Sequence, residues 1–244
     1  MDATGPIRQQ RHCKAGQELM TDSDYTPADL PHLSDMDLAA LIASRICHDL
    51  ISPVGALANA VEVLRNDSDE EMRKVALDLL ETSSRQASAK LQFARLAFGA
   101  AGSAGTEISL NDAGELANNL MADDNRVSLN WQAPAETRPK SIVKLLLNLM
   151  LIAVSCVPRG GTVTVTAEGP RLVLEAKGRR AALPEQTASV LTGAILPDEI
   201  DARKVQPYYT LRLLEETGYG LEIAQDEEAV IITAAPESDA TEGA

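Results

Sequence analysis

The residues of this chain most able to do chemistry are His48 and Asp49, in the stretch Ser44-Arg45-Ile46-Cys47-His48-Asp49-Leu50-Ile51-Ser52-Pro53. An imidazole titrates close enough to neutrality to be largely unprotonated and nucleophilic near pH 7. A neighbouring carboxylate can orient the ring or handle its other proton. Arg45, one helical turn earlier, can offset the charge of an anionic group; its plainer role is an i,i+4 pair with Asp49, worth a few tenths of a kcal/mol. Wound as a helix at roughly 100° per residue, the segment gathers Ile42, Ala43, Ile46, Leu50, Val54, Leu57, Val61 and Leu64 opposite His48. Leu41, Ser44, Arg45, Ser52, Gly55, Asn59 and Glu62 share the histidine's side, within roughly 60° of it. The pattern predicts a buried apolar stripe and an imidazole facing water.

The helix that must carry these residues starts at Ser34 or Asp35, either of which can cap it, and runs to about Arg65. Pro53 lies inside it and favours a bend, because proline has no backbone N–H to donate. Asn66 to Asp69 reads as a turn, with Ser68 or Asp69 capping a second helix whose first turn holds Glu70 and Glu71. Met72, Ala76, Leu79, Ser83, Ala87, Leu91, Ala94 and Phe98 then recur at three- and four-residue steps up to about Gly99. Two such helices form an antiparallel hairpin that cannot hide its own apolar face. The expected solution is a homodimer, two hairpins making a four-helix bundle with His48 of each chain outside.

Beyond a small-residue linker, 100–105, the periodicities change. Strands are predicted at 106–110, 127–133, 162–168, 171–177, 220–225 and 229–235, and helices at 111–122, 138–157, 184–193 and 206–217. The fold class is α+β: an unstructured leading tail (1–34), a helical hairpin (35–99), the linker, an α/β domain (106–236) with helices on one face of a largely antiparallel sheet, and a short tail (237–244).

Hydrophobic residues make up 45% of the 244 and aromatics 3%, so the cores must be built from Leu, Ile, Val and Ala. A formal charge of −14 argues against direct nucleic-acid binding, which rests on neutralising phosphates. The apolar run from Leu145 to Val157 is too short for a membrane span of about 20 residues, and the cationic start has no apolar segment behind it, so neither membrane insertion nor secretion is expected. Cys13, Cys47 and Cys156 are odd in number and lack metal-ligand spacing, which suits a reduced cytoplasmic protein with no metal site. His12 beside Cys13 makes no closed site, and Cys47 reads as a space-filling thiol on the helix flank.

The sequence His48-Asp49-Leu50-Ile51-Ser52-Pro53, opening a hairpin that precedes an α/β domain, resembles the H-box of two-component histidine kinases. That resemblance implies a Bergerat-like sandwich with an ATP site, and the residues there depart from it. Leu147-Asn148 through Gly160-Gly161 is similar to the kinases' Asn-bearing helix and the turn that follows, yet Ile152 replaces the metal-binding Asn. Ala176 stands for the adenine-reading Asp and Arg180 for the second Gly of its turn. Gln206-Pro207-Tyr208-Tyr209-Thr210-Leu211 replaces a glycine-rich phosphate lid.

A kinase-like dimer with an intact H-box and a lost ATP site resembles the alphaproteobacterial histidine phosphotransferases, also in Leu91 to Ala100 at the end of the second helix. The resemblance spans roughly residues 36 to 235. It implies a phosphorelay in which His48 takes a phosphoryl group from the receiver of a hybrid kinase (CckA-like) and passes it to response regulators (CtrA- and CpdR-like) that govern the cell cycle. His48 would be the phosphoacceptor, Asp49 would orient it or handle its proton, and Arg45 would contribute charge. Ser44, Ser52, Gly55 and Asn59 would face the receiver; Leu41 is a docking contact or an ordinary exposed leucine. The chain itself would need no cofactor, the magnesium belonging to the receiver. Two other readings fit the same residues: an ATP-dependent histidine kinase with a divergent pocket, and a noncatalytic receiver-binding adaptor.

Overall fold

The computed structural model describes residues 8–10, 32–66, 69–99 and 107–237. Helix α1 (Asp35–Asn66) is capped by Ser34, whose Oγ accepts from the backbone N–H of Asp37 at 3.1 Å. Helix α2 (Glu70–Ala97) is capped by Asp69, which accepts from Glu71 N–H at 2.9 Å. The two lie side by side as an antiparallel hairpin in which Pro53 and Ala60 of α1 and Ala76 and Ser83 of α2 are buried, and Phe93 of α2 joins the core of the second part.

The second part holds strands β2 (Glu107–Ser109), β3 (Val127–Trp131), β4 (Thr137–Pro139), β5 (Gly161–Glu168), β6 (Arg171–Lys177), β7 (Tyr219–Gln225) and β8 (Ala229–Pro236). Its helices are α3 (Leu110–Met121), α4 (Lys140–Ser155), α5 (Glu185–Leu191) and α6 (Val205–Thr217), with a 3-10 turn at Pro197–Glu199. A further short strand, β1 (Arg8–Gln10), lies parallel to β7 at one sheet edge, giving the order β1-β7-β8-β6-β5-β3. β3 runs parallel to β5, the remaining pairs of this sheet are antiparallel, and β2 and β4 form a separate antiparallel ribbon.

Alternation decides which sheet face is covered. Val163, Val165 and Ala167 of β5, Leu172, Leu174 and Ala176 of β6, and Val230, Ile232 and Ala234 of β8 point inward onto α4, and their neighbours along each strand are more exposed. Helix α4 is apolar around most of its circumference because it lies between that sheet and α6, with α2 and α3 beside it. At the turn into β5, Gly160 has φ +94 and a Cβ there would lie 2.7 Å from the carbonyl oxygen of Arg126, so only glycine fits.

Several expectations are corrected. The helix predicted from 138 begins at Lys140, because Thr137–Pro139 pairs with β2 as a strand too short to show a period. The stripe predicted as buried divides: Ile46, Leu50, Leu57 and Leu64 are half-buried along the hairpin and Ile42 is half-buried against the second part, but Ala43, Val54 and Val61 are exposed. Cys47 is exposed and fills no space. The leading 34 residues include β1 and the described stretch 32–34, where Leu33 N–H donates to Tyr208 Oη at 3.0 Å; the rest of that tail, the linker 100–105 and all of the closing tail but Glu237 fall outside the described residues, as do His12 and Cys13. Among the described residues α1 is long and apolar enough to cross a membrane by length and composition, a feature missed by weighing only Leu145 to Val157.

Candidate active site

His48 stands on the flank of α1 away from α2, its side chain 73% exposed. Its Nδ1 lies 3.4 Å from Oδ1 of Asp49, and the other carboxylate oxygen, Oδ2, accepts from Nε of Arg45 at 3.0 Å. Helical spacing explains the set: Arg45 and Asp49 are one turn apart and stack along the surface, and Asp49 leans back toward the preceding ring. Ring nitrogen Nε2 is thereby the one turned from the carboxylate.

Ser44, Ser52, Gly55 and Asn59 are all exposed. A Cβ added at Gly55 would meet nothing within 4 Å, so the fold does not require glycine there. Leu41 behaves differently. It is half-buried against the core of the second part together with Leu38 and Ile42, and it lines a shallow groove with Ala40, Pro197 and Ile200. Its first duty is packing, which the helical azimuth could not reveal because its neighbours come from residues far along the chain.

The sequence reading also missed Lys90. Its Nζ crosses from α2 and donates to the backbone carbonyl of Asp49 at 3.0 Å. Lys90 borders an open cleft of about 490 Å³, whose other walls include Gln86, Asn119, Asp123 and Arg126. Arg85 pairs with Asp123 at 2.8 Å, joining the hairpin to the turn after α3. No period or motif marks Lys90, so no signal in the sequence could have found it.

The residues at the kinase-like ATP positions are engaged in packing. Asn148 is fully buried, and its Nδ2 donates to the carbonyls of Ala97 at 3.1 Å and Lys144 at 2.9 Å, tying the end of α2 to α4. Nε2 of Gln206 lies 2.9 Å from the carbonyl of Asn148 and 3.2 Å from its Oδ1. Thr210 completes the network from α6. Ile152 and Ala176 are in the core, and Arg180 has φ 59, a left-handed conformation that glycine adopts most easily. Among the described residues no cluster of three or more His, Cys, Asp or Glu side chains could hold a metal ion.

A hairpin presenting a histidine, joined to an α/β sandwich, is the arrangement of a histidine phosphotransferase, and the relatives are of that class. Residues 110–229 match the family of the histidine phosphotransferase C-terminal domain. Protein phosphotransferase ChpT of Brucella abortus (strain 2308) is 44% identical over 206 residues, covering 83% of this chain and 97% of the relative. A 1.7 Å structure of a bacterial phosphotransferase is similar with a TM-score of 0.77 at 41% identity, over 84% of this chain and 98% of that one. The chain belongs to the ChpT family of histidine phosphotransferases. It is a protein phosphotransferase, which sets aside the noncatalytic adaptor.

Proposed function

We propose that His48 is the phosphoacceptor of a relay, receiving a phosphoryl group from the aspartyl phosphate of a receiver domain and returning it to the aspartate of another. The observation that carries this reading is the exposed imidazole whose Nδ1 faces Asp49, leaving Nε2 to solvent. In the forward step the Nε2 lone pair forms the N–P bond as the P–O bond to the receiver's carboxylate breaks, and that carboxylate leaves with the electron pair. The proton stays on Nδ1, and the cationic ring is balanced by Asp49. The reverse step on a second receiver regenerates the neutral imidazole, so no net proton is consumed. Each receiver supplies its own magnesium.

The donor is the receiver of a CckA-like hybrid kinase and the acceptors are CtrA- and CpdR-like regulators, in a cell-cycle phosphorelay. The protein works as a cytoplasmic homodimer. Ala43, Val54 and Val61 on α1, with Met72, Val75 and Leu79 on α2, leave an exposed apolar strip that a second copy would cover as a four-helix bundle. The apolar length of α1 is accounted for in the same way, since α2 lines one flank and Arg45, His48 and Asp49 interrupt another. ATP has no part in the reaction, a reading supported by the Asn148, Gln206 and Thr210 network filling the space between α4 and α6.

The test charges a receiver with acetyl phosphate and mixes it with this protein. An acid-labile, alkali-stable phosphoprotein is expected from wild type and none from His48→Gln. Equal labelling of the two, or labelling of wild type by ATP and magnesium without any receiver, overturns the proposal.

A further inference from the structure

In an α-helix the N–H of residue 53 donates to the carbonyl of residue 49. Residue 53 here is proline, which has no N–H and whose ring crowds that same carbonyl. The carbonyl of Asp49, the residue after the candidate phosphoacceptor, therefore loses its helical donor at a partly buried position, where an unmet carbonyl is costly. The structure supplies a replacement from outside the helix. Nζ of Lys90, reaching from α2, donates to Asp49 O at 3.0 Å, in a half-buried setting. An ammonium offers donors only, so this contact suits a bare carbonyl and has the added strength of a charged donor.

We infer that Lys90 is a positioning residue for His48, standing in for the hydrogen bond that Pro53 removes. The inference rests on the reading of His48 as phosphoacceptor and adds a device to it. Asp49 is held at two points: its carbonyl by Lys90 across the hairpin, and its Oδ2 by Arg45 along α1. With backbone and side chain both fixed, Oδ1 keeps its place beside Nδ1 of His48, and the ring presents Nε2 in one orientation when a receiver arrives. The gap that proline leaves in the hydrogen-bond ladder of α1 is thus closed from the second helix.

The device predicts a coupling between Lys90 and Pro53 that ordinary packing would not produce. The experiment measures the single-turnover rate of phosphohistidine formation from a receiver charged with acetyl phosphate, alongside the NMR shifts of the His48 ring nitrogens and the Asp49 and Leu50 amides. Lys90→Met is expected to slow transfer on the order of tenfold and to move those shifts, and Lys90→Arg, which keeps a cationic donor, to restore most of the rate. In a Pro53→Ala background residue 53 regains its N–H, so adding Lys90→Met should then change the rate by less than about twofold and leave the shifts in place. Equal losses from Lys90→Met in both backgrounds, or none in either, overturn the inference. The NMR cycle decides the positioning even if wild type forms no phosphohistidine, a result that would count against the role of His48 and not against its geometry.

Discussion

Nε of Arg45 donates to Oδ2 of Asp49 at 3.0 Å, so one oxygen of the carboxylate beside His48 is already occupied by a cation one turn away. The pair is partly exposed, and exposed i,i+4 pairs contribute little to stability. Arg45→Ala should therefore change the unfolding free energy by less than about 0.5 kcal/mol in urea titration. Asp49→Asn, which removes the charge opposite a developing imidazolium, should slow phosphohistidine formation on the order of tenfold or more with little change in urea midpoint. A rate loss from Arg45→Ala as large as that from Asp49→Asn would assign the chemistry to the cation.

The network between α4 and α6 makes a stability prediction and a binding one. Gln206→Leu leaves Oδ1 of buried Asn148 without the Gln206 donor and should cost about 1–3 kcal/mol, read as a lower urea midpoint at constant slope. Calorimetry of the wild type with ATP and magnesium should show no saturable heat up to about 1 mM. Saturable binding would mean that the space between these helices opens for a nucleotide.

The apolar strip predicts the assembly. Val54 is 52% exposed and Val61 44% exposed, two turns apart on the same side of α1. Placing carboxylates there by Val54→Glu with Val61→Glu should convert a dimer to a monomer in light scattering and leave helical circular dichroism largely intact. An unchanged mass would put the contact between copies elsewhere.

Alkaline stability should follow two acids, one buried and one half-buried. Burial pushes the Cys156 thiol from 9.0 up to about 12, and burial, followed by the charge of Glu216, pushes the Tyr209 phenol from 10.0 up to about 12. Both are raised, so the unfolded chain loses these protons first. Their contribution is complete below the unfolded values and is lost as pH rises from about 9 through about 12. Cys156→Ala combined with Tyr209→Phe should flatten the fall in urea stability over that window. An unaltered slope would place the titrating groups elsewhere.

Much of this arrangement is legible before any coordinates. The caps, expected at Ser34 or Asp35 and at Ser68 or Asp69 and found at Ser34 and Asp69, the exposure of His48 and the strands 162–168 and 171–177 follow from local period and chemistry, and the structure places them within a residue or two. Leu41, Val54, Cys47 and β4 were misjudged for a shared reason. Helical geometry fixes the direction in which each residue points, but burial depends on which directions are filled by segments distant in sequence. α2 fills one side of α1, the second part covers Leu41 at its start, and the side of Val54 and Val61 is left open in a single chain.

The order of residues in the chain alone determined a helix with an imidazole on its wet face, followed by an α/β unit that carries Ile152, Ala176 and Arg180 at the positions similar to a kinase ATP site. Tertiary structure decided how that ring is held. Lys90 and Asp49 are 41 positions apart and share no motif, so only the folding back of α2 brings an ammonium to the carbonyl that Pro53 leaves without its partner. Periodicity records the angle of a side chain about its own axis; contacts across a hairpin depend on register between two axes, which no local pattern encodes.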